Sequence, residues 1–275
     1  MTFRQTMRAC RSLFRIRFAE GLQYRAAAVS GVFISVFWGI IECVIYTVFY
    51  KYSQNPWNDG GMSLTQTMSY IWLAQGMWGL QAMSIDGDIL EKIKSGDIGV
   101  ELCRPMDLYF HWLAKSSAGK LGAVWLRGLL TIAAGALMPA AFRLKPPDSA
   151  AAFGLFLAAL ALAFALCSCY AMFVTAIRVN ITWGEGPTYM LMLASGVLSG
   201  GYLPLRLWPD FLQGFLRLQP FGGFVDIPAQ LYIGTLAPRD ALAALGVQFF
   251  WCVLFLAAGR AILRRRLGSV IIQGG

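Results

Sequence analysis

Six long apolar runs alternate with short polar segments along the chain. A helix needs about 20 apolar residues to cross a bilayer, and each run is close to that length. The pattern predicts six membrane-spanning helices, numbered here as spans one to six, at 27–50, 66–85, 118–142, 150–174, 187–203 and 241–262. Span two is the least apolar because it carries Gln66, Gln75 and Gln81. We therefore predict an all-α polytopic membrane protein that forms a single transmembrane domain over residues 1–275.

Residues 1–25 are too polar to span a membrane, but their apolar residues recur at every third or fourth position. Arginines follow the same period at Arg4, Arg8, Arg11 and Arg15. This pattern is typical of a basic amphipathic helix that lies in the headgroup region of an anionic leaflet. We predict such an interfacial helix here, in contact with membrane lipids.

The segment 204–240 is apolar but is interrupted by prolines, so neither half is long enough to span the bilayer. We predict two short helices, at about 209–219 and 224–234, that dip into one face of the membrane. Such backbone is tolerated at membrane depth where protein or a cavity covers it. The interrupting residues are Pro204, Pro209, Pro220, Pro228 and Pro238.

The composition excludes a soluble fold. Hydrophobic residues make up 57% of the 275 residues and charged residues only 13%, about half the usual ~25% of a soluble domain. The net charge of +9 indicates cytoplasmic loops rather than nucleic-acid binding. With the N-terminus inside, 16 lysines and arginines fall on the inner side and 6 on the outer side, with Arg127 inside span three. Both termini are therefore predicted to be cytoplasmic.

Nucleotide and metal chemistry are not expected in this chain. Its closest approach to a phosphate-binding loop, Gly119-Lys120, has Ala114 where the first glycine is required, so the chain does not bind ATP in that way. Cys167-Ser-Cys169 has no further cysteine or histidine nearby, and small residues packing between helices explain it better than a metal site. We predict no catalytic residue, no metal and no cofactor in this chain.

The segment 86–107 is the only long charged stretch. Ile89, Leu90 and Ile93 share one helical face and the charges lie elsewhere, with the helix ending near Ser95-Gly96. One interpretation is a helix that rests on the membrane surface. The other is a docking helix that lies in a groove of a cytoplasmic protein partner, which the mixed charge favours. The candidate docking residues are Asp86, Asp88, Ile89, Leu90, Glu91, Lys92, Ile93, Lys94, Asp97, Glu101 and Arg104.

Two motifs connect the chain to a known family. The first is I-x-S-G-D-I-x-x-E-L-x-R-P-x-D, from Ile93 to Asp107, and the second is Q-P-F-x-x-x-x-D-I-P-A-x-x-Y-x-G, from Gln219 to Gly234. Together with the order of a basic N-terminal helix, six spans and a proline-broken segment, they make the chain resemble the permease subunits of type-2 ABC transporters. The resemblance covers nearly the whole chain and is greatest to a branch of ABC-type exporters.

The resemblance implies an assembly in the bacterial inner membrane. Two permease subunits would form one pathway, and we expect the second to be a paralogue rather than an identical copy. Two cytoplasmic ATPase subunits would bind ATP and Mg²⁺. Residues 1–25 would be the elbow helix, 86–107 would contain the coupling helix, and 204–240 would form outer re-entrant helices that close the exit.

Glu42 lies inside span one, and an intramembrane carboxylate is a functional candidate by default. It could contact a cationic substrate or pair within the bundle, and the pair is slightly favoured. Arg127 is a doubtful partner because it lies nearer the inner side. Aromatic residues could line an apolar substrate pathway, although aromatics near span ends more often form interfacial belts. The pathway candidates beside Glu42 are Trp38, Tyr46, Trp72 and Trp78.

Span five carries small residues at Gly196, Ser199 and Gly200. Such a face allows close helix packing, and it would mark the dimer seam if span five lies between the two permeases.

Three functions compete on the sequence. An exporter permease that is driven by a separate ATPase is favoured. An ATPase-independent channel or secondary transporter is the second, although no internal repeat is visible. A membrane-embedded lipid-modifying enzyme is the third, and the chain offers few polar groups for it. The aromatic pathway is compatible with amphiphilic drugs, peptides or lipids and selects none of them.

Overall fold

A computed structural model describes residues 25–52, 61–81, 86–95, 107–180 and 186–267, together with Ser12, Arg15, Ile16 and Ala19, which are helical and exposed. Every regular element in these ranges is helical. The α-helices are α1 Arg25–Tyr52, α2 Leu64–Gly76, α3 Trp78–Gln81, α4 Gly87–Ser95, α5 Leu108–Leu137, α6 Ala150–Asn180, α7 Gly186–Leu198, α8 Asp210–Leu218, α9 Asp226–Tyr232 and α10 Pro238–Leu267. Short 3₁₀ turns lie at Leu205–Leu207 and Phe221–Gly223.

Four of the described helices are long and apolar enough to cross a membrane. They are α1, α5, α6 and α10, and they correspond to predicted spans one, three, four and six. The prediction of an all-α, multi-pass membrane protein is therefore confirmed at this level.

Predicted spans two and five correspond to shorter helices. At Met77 the helical run is broken between α2 and α3, so 66–85 is not one continuous helix. Helix α7 has 13 residues and ends before the Ser199-Gly200 turn, which makes it about 20 Å long against a hydrocarbon core of about 30 Å. Its end is set by Gly200, whose φ of +84° leaves the right-handed helical region.

Helix α5 begins earlier than the sequence predicted, at Leu108 rather than 118. The Asp107 side chain caps it by accepting hydrogen bonds from the backbone N–H groups of Tyr109 at 3.1 Å and Phe110 at 3.5 Å. The helix ends at Leu137 rather than 142, because the residue before Pro139 is disfavoured in the helical conformation. The N-terminal part of α5 therefore adds a helical extension to the predicted span.

Helix α2 is the centre of a three-helix group with α1 and α5. All of its residues from Thr67 to Gly76 are buried. A Cβ on Gly128 of α5 would lie 2.7 Å from the Gly76 carbonyl oxygen, so the two helices approach closely through small residues. The least apolar predicted span thus contains an interior helix, and its Gln75 is shielded from lipid.

Helices α6 and α10 form the most extensive helix pair in the described structure. Their contact contains an aromatic cluster in which the Tyr170 and Phe255 ring centroids are 4.9 Å apart. The buried Gln248 amide of α10 donates to the Ala159 carbonyl at 3.2 Å and to the Gly223 carbonyl at 2.7 Å. That side chain ties α6, α10 and the 3₁₀ turn that precedes α9 into one unit.

The short helices lie at opposite ends of this unit. Helix α4 packs on Ala176 and Leu263, near the C-terminal ends of α6 and α10. Helix α9 packs near their N-terminal ends, through Leu231 against Ala159 and Ala241. We call these the α4 end and the α9 end. The predicted interfacial helix at 1–25, with Arg4, Arg8 and Arg11, lies outside the described residues apart from the four helical positions named above.

Candidate functional site

Helix α4, the predicted docking helix, packs on the bundle through the buried side chain of Ile89. Ile89 is 1% exposed. It packs in a cluster to which α5, α6 and α10 all contribute. This α4 cluster consists of Ile89, Leu108, Tyr109, Trp112, Met172, Ala176 and Leu263.

Ile89 therefore lies on the packed side of α4 and not on its open side, and its part in coupling stays a prediction. The open side of α4 carries the half-buried Leu90 and the exposed Glu91. An open depression of about 440 Å³ on this side is lined by Gly87, Leu90, Glu91 and Ser95. The side chains of Ile93 and Lys94, and all of Asp97, Glu101 and Arg104, lie outside the described residues.

Charged residues hold the beginning of α4. The Asp86 carboxylate accepts from the backbone N–H of Asp88 at 3.1 Å and of Ile89 at 3.4 Å. Lys115 of α5 has a side chain that is only 5% exposed, and its Nζ lies 3.0 Å from Asp88 Oδ2 and 3.9 Å from Asp86 Oδ1. Asp86 and Asp88 thus form contacts within this chain, and Lys92 is half-buried.

Asp107, the last residue of the first motif, joins α5 to α10. Its Oδ2 lies 2.6 Å from Arg260 Nη2 and 3.4 Å from Arg264 Nη2. Arg260 also stacks over Phe110, with 4.8 Å between Cζ and the ring centroid. Partial burial alone would raise the pKa of Asp107, but the hydrogen bond and charge of Arg260 outweigh it and hold the pKa below its ordinary value. The carboxylate is therefore charged at neutral pH.

A second carboxylate, Asp226, organises the α9 end. It is 5% exposed. Its Oδ1 accepts from the Tyr70 hydroxyl at 2.9 Å and from the Leu205 N–H at 3.3 Å, and its Oδ2 accepts from the Gln230 amide. The Tyr70 hydroxyl also lies 2.8 Å from the Gly200 carbonyl oxygen. We call Asp226, Tyr70, Gly200, Leu205 and Gln230 the Asp226 network.

The remaining residues of the second motif have structural positions around this network. Gln219 donates to the Leu198 carbonyl at 3.0 Å and accepts from the Phe221 N–H at 2.7 Å. Tyr232 packs edge-on against Phe156 of α6 with 5.1 Å between ring centroids. The motif thus specifies how the segment after α7 is held against α2 and α6.

Glu42 pairs within the bundle through an amide. The Gln75 side chain of α2 donates to Glu42 Oε1 at 3.2 Å. Arg127 instead donates to Ser35 Oγ at 2.7 and 3.2 Å, about two helical turns away along α1. The doubt about a direct Glu42–Arg127 pair was therefore justified.

The predicted pathway aromatics divide into two groups. Trp72 is fully buried, and its indole N–H donates to the Phe142 carbonyl at 2.6 Å. Tyr46 is buried between helices as well. Both therefore fill the helix bundle in this chain, and their part in a pathway stays a prediction. Trp38 is 53% exposed, and Trp78 is half-buried against Tyr202 with 5.3 Å between ring centroids.

Most of the small residues predicted at the dimer seam pack against other residues of this chain. Ser199 is fully buried. A Cβ on Gly200 would lie 2.5 Å from the Tyr70 hydroxyl oxygen and 2.9 Å from Asp226 Cβ. The close packing at these two positions is therefore explained by the Asp226 network, whereas Gly196 is partly exposed.

Sequence reasoning missed Tyr70 and Asp226 as a pair. The only signal was a polar atom on an apolar helix and a carboxylate in an apolar segment, both of which must be bonded when buried. It also missed the thiol contact of Cys169 with Cys252, whose Sγ atoms are 3.5 Å apart. Among the described residues, no group of three or more His, Cys, Asp or Glu is arranged to hold a metal ion.

Long apolar helices, a charged helix at one end and a proline-broken segment at the other define a multi-pass membrane protein. The family described as ABC-2 family transporter protein matches residues 32–274, and the chain belongs to that family. Members are membrane subunits of ABC transporters and are not themselves catalytic. The chain has no significant match among curated proteins or solved structures.

Proposed function

We propose that this chain is the permease subunit of an ATP-driven ABC exporter. It forms half of the translocation pathway and couples through α4 to a separate cytoplasmic ATPase subunit that binds ATP and Mg²⁺. Family membership supports the transport role. The coupling role rests on the position of α4.

The observation that carries the coupling role is that one side of α4 packs on the bundle while the other side is open. Ile89 is seated against three long helices, while Leu90 and Glu91 lie on the open side above the depression of about 440 Å³. A partner that binds the open side and moves α4 would move the ends of α5, α6 and α10 with it. Two nucleotide states of an ATPase that bind α4 differently would supply the free energy for that movement.

The topology that fits this role has six crossings, with the α4 end and both termini in the cytoplasm of a bacterial cell. Helices α2 and α3 together make the second crossing, and α7 with the turn after it makes the fifth. Helices α8 and α9 are the outer re-entrant helices. The excess of lysine and arginine on the α4 side supports this orientation.

The complete pathway requires a second permease, which we propose is a paralogue, and two ATPase subunits. Since Ser199 and Gly200 are buried, a seam on α7 would use Gly196 and the exposed residues beside it. These are Tyr189, Met190 and Leu193.

Co-purification of an ABC ATPase subunit with this chain tests the coupling role. The double variant Leu90→Asp with Glu91→Lys changes only the open side of α4, and we expect on the order of a tenfold loss of bound ATPase, as for a central interface residue. Lys145→Glu, an exposed charge at the opposite end, is the matched control and should retain the ATPase. Full retention by the double variant, or solute movement by the isolated chain, would contradict the proposal.

Labelling with a membrane-impermeant maleimide tests the topology. Lys145→Cys should react in intact cells, whereas Glu91→Cys should react only in inverted vesicles. The opposite result would reverse the proposed orientation.

A further inference from the structure

We infer that one stripe of α1 binds amphipathic organic cations, which would be the substrate class of this permease. The stripe consists of Trp38, Glu42, Ile45 and Phe49, and we call it the α1 stripe. The claim that these cations are transported rests on the proposed function. Their binding at the stripe can be measured without ATP.

The α1 stripe lies on one side of the helix. Its residues are separated by three or four positions, which places them on one face. Three of the four are well exposed, at 53% for Trp38, 58% for Ile45 and 44% for Phe49. The stripe therefore borders the contact with α2 and stays open to a bound molecule.

The face of α1 that contacts α2 is not the α1 stripe, and it is closely packed. A Cβ on Gly39 would lie 2.9 Å from the Trp72 ring. Cys43 is fully buried. A molecule cannot enter at that face without separating the helices, so the open stripe beside it is the accessible one.

Glu42 is the only charged residue of the described α1 helix between Val29 and Tyr50. It receives one hydrogen bond, from the Gln75 amide at 3.2 Å. The ion pairs formed among the described residues do not include it. An intramembrane carboxylate is costly unless it is paired, and one amide donor uses only part of its capacity to accept hydrogen bonds. The carboxylate is therefore complementary to a positive charge that the described part of the chain does not supply.

The surroundings of Glu42 select an organic cation over a metal ion. Trp38 lies about 6 Å away along the helix axis and Phe49 about 10 Å away on the other side. Aromatic faces attract cations, and Ile45 adds apolar surface between the rings. A small inorganic cation would need several oxygen ligands, whereas a hydrophobic cation needs one carboxylate and apolar surface. The chemistry therefore fits an amine or quaternary cation with an apolar body.

The test measures probe binding to the complete transporter in nanodiscs without nucleotide. Tetraphenylphosphonium is a hydrophobic cation, and tetraphenylborate is an anion of nearly the same shape. We expect saturable tetraphenylphosphonium binding that Glu42→Gln weakens by on the order of tenfold, equivalent to about 1.4 kcal/mol. Tetraphenylborate binding should not weaken in Glu42→Gln.

Matched variants separate charge from packing. Asp210→Asn removes an exposed carboxylate on α8 and should leave the affinity within about twofold, as for an ordinary surface substitution. Trp38→Phe should retain binding and Trp38→Ala should weaken it. Because Trp38 is exposed, this pair decides the question even if Glu42→Gln lowers the stability of the chain.

Each outcome has a defined meaning. Unsaturable tetraphenylphosphonium uptake, or equal affinity of wild type and Glu42→Gln, would overturn the site, as would equal binding by Trp38→Phe and Trp38→Ala. Glu42-dependent binding in a chain that never retains an ATPase would overturn the proposed function and leave the site standing. Normal ATPase coupling without Glu42-dependent binding would overturn the site and leave the proposed function standing.

Discussion

The two ends of the bundle are held together by different chemistry. At the α4 end, Ile89 is the one fully buried apolar side chain among those described on α4, and the ion pairs around it include the exposed partners Asp88 and Arg264. At the α9 end, the buried carboxylate of Asp226 is bonded to neutral donors from α2, from α9 and from the backbone near α7.

This difference indicates which end can move. The Lys115–Asp88 pair joins a buried lysine to an exposed carboxylate. An ion pair with an exposed partner contributes little, so the burial of Ile89 is the main attachment among the described side chains of α4. A buried network leaves unsatisfied groups when any member is lost, so the α9 end resists partial opening. We therefore expect the α9 end to be the fixed end of the bundle and the α4 end to be displaced more readily.

The largest expected effect is a substitution that breaks the fixed end. Gly200→Ala places a side chain at φ +84° with its Cβ 2.5 Å from the Tyr70 hydroxyl oxygen. We expect a loss of about 3 kcal/mol, from the left-handed backbone and from overpacking together. Thermal unfolding in detergent measures it.

Gly214→Ala is the matched control for this prediction. Gly214 lies on α8 with no atom within 4 Å of the added Cβ, so alanine should be neutral or stabilise the helix by up to about 1 kcal/mol. Equal unfolding temperatures for Gly200→Ala and Gly214→Ala would contradict the rigidity of the Asp226 network.

The second prediction concerns the attachment of α4. Ile89→Ala removes the only described side chain of α4 that is fully buried, and we expect a loss of about 2–3 kcal/mol. The effect should be local, because the fixed end is untouched. Hydrogen exchange of amides in 87–95, compared with 64–76, measures it.

Leu90→Ala is the neighbouring control, because Leu90 is only half-buried and should change exchange by less than about 1 kcal/mol. An equal effect of Ile89→Ala and Leu90→Ala would show that α4 is not attached through one side.

The contrast between Ile89 and Leu90 shows the limit of sequence reasoning at the candidate site. The apolar period correctly placed a short amphipathic helix at 87–95. It grouped Ile89 with Leu90 because they share a face. The cavity that accepts Ile89 is built from residues such as Trp112, Ala176 and Leu263, which are distant along the chain. Only the tertiary structure shows which of the two neighbours is used internally.

The fold was predictable where local signals decide it. Prolines mark the starts of the two short helices, found at Asp210–Leu218 after Pro209 and at Asp226–Tyr232 with Pro228 in its first turn. Apolar length identifies the four long helices. The break at Met77 was not predicted, although Gly76 and Gly79 flank it, because glycines are common within apolar membrane helices. The start of α5 was signalled by Asp107 as an N-cap, but hydropathy alone placed the span further along. Long-range pairs such as Tyr70 with Asp226 leave no local periodic signal.

The third prediction concerns the pH dependence of stability at the α9 end. Burial raises the pKa of Asp226 to about 6 from its ordinary 3.8, and hydrogen bonds from Tyr70, Leu205 and Gln230 offset it only in part. The folded state thus favours the protonated form. This contribution to stability is complete below about pH 4 and is lost as the pH rises through about 6.

We therefore expect wild type to gain about 1 kcal/mol relative to Asp226→Asn between pH 7 and pH 5. Unfolding temperature measured against pH for both proteins tests this. The charged group that faces the network is Arg206, which donates to the Gln230 side chain at 3.0 Å and is present in both. Parallel pH profiles would show that Asp226 does not titrate in this window.

The smallest effect is expected from an exposed ion pair at the α4 end. Asp88→Asn removes a carboxylate oxygen 3.0 Å from Lys115 Nζ, but the Asp88 side chain is 52% exposed and Asp86 remains 3.9 Å away. We expect a change below about 1 kcal/mol in hydrogen exchange of 87–95, and a smaller change at high salt. Asp240→Asn, which removes an exposed pair with Arg239, is the control outside α4. If Asp88→Asn lowered the hydrogen-exchange protection of 87–95 as much as Ile89→Ala does, then charge, and not apolar burial, would hold α4. The two ends would then be held by the same kind of interaction.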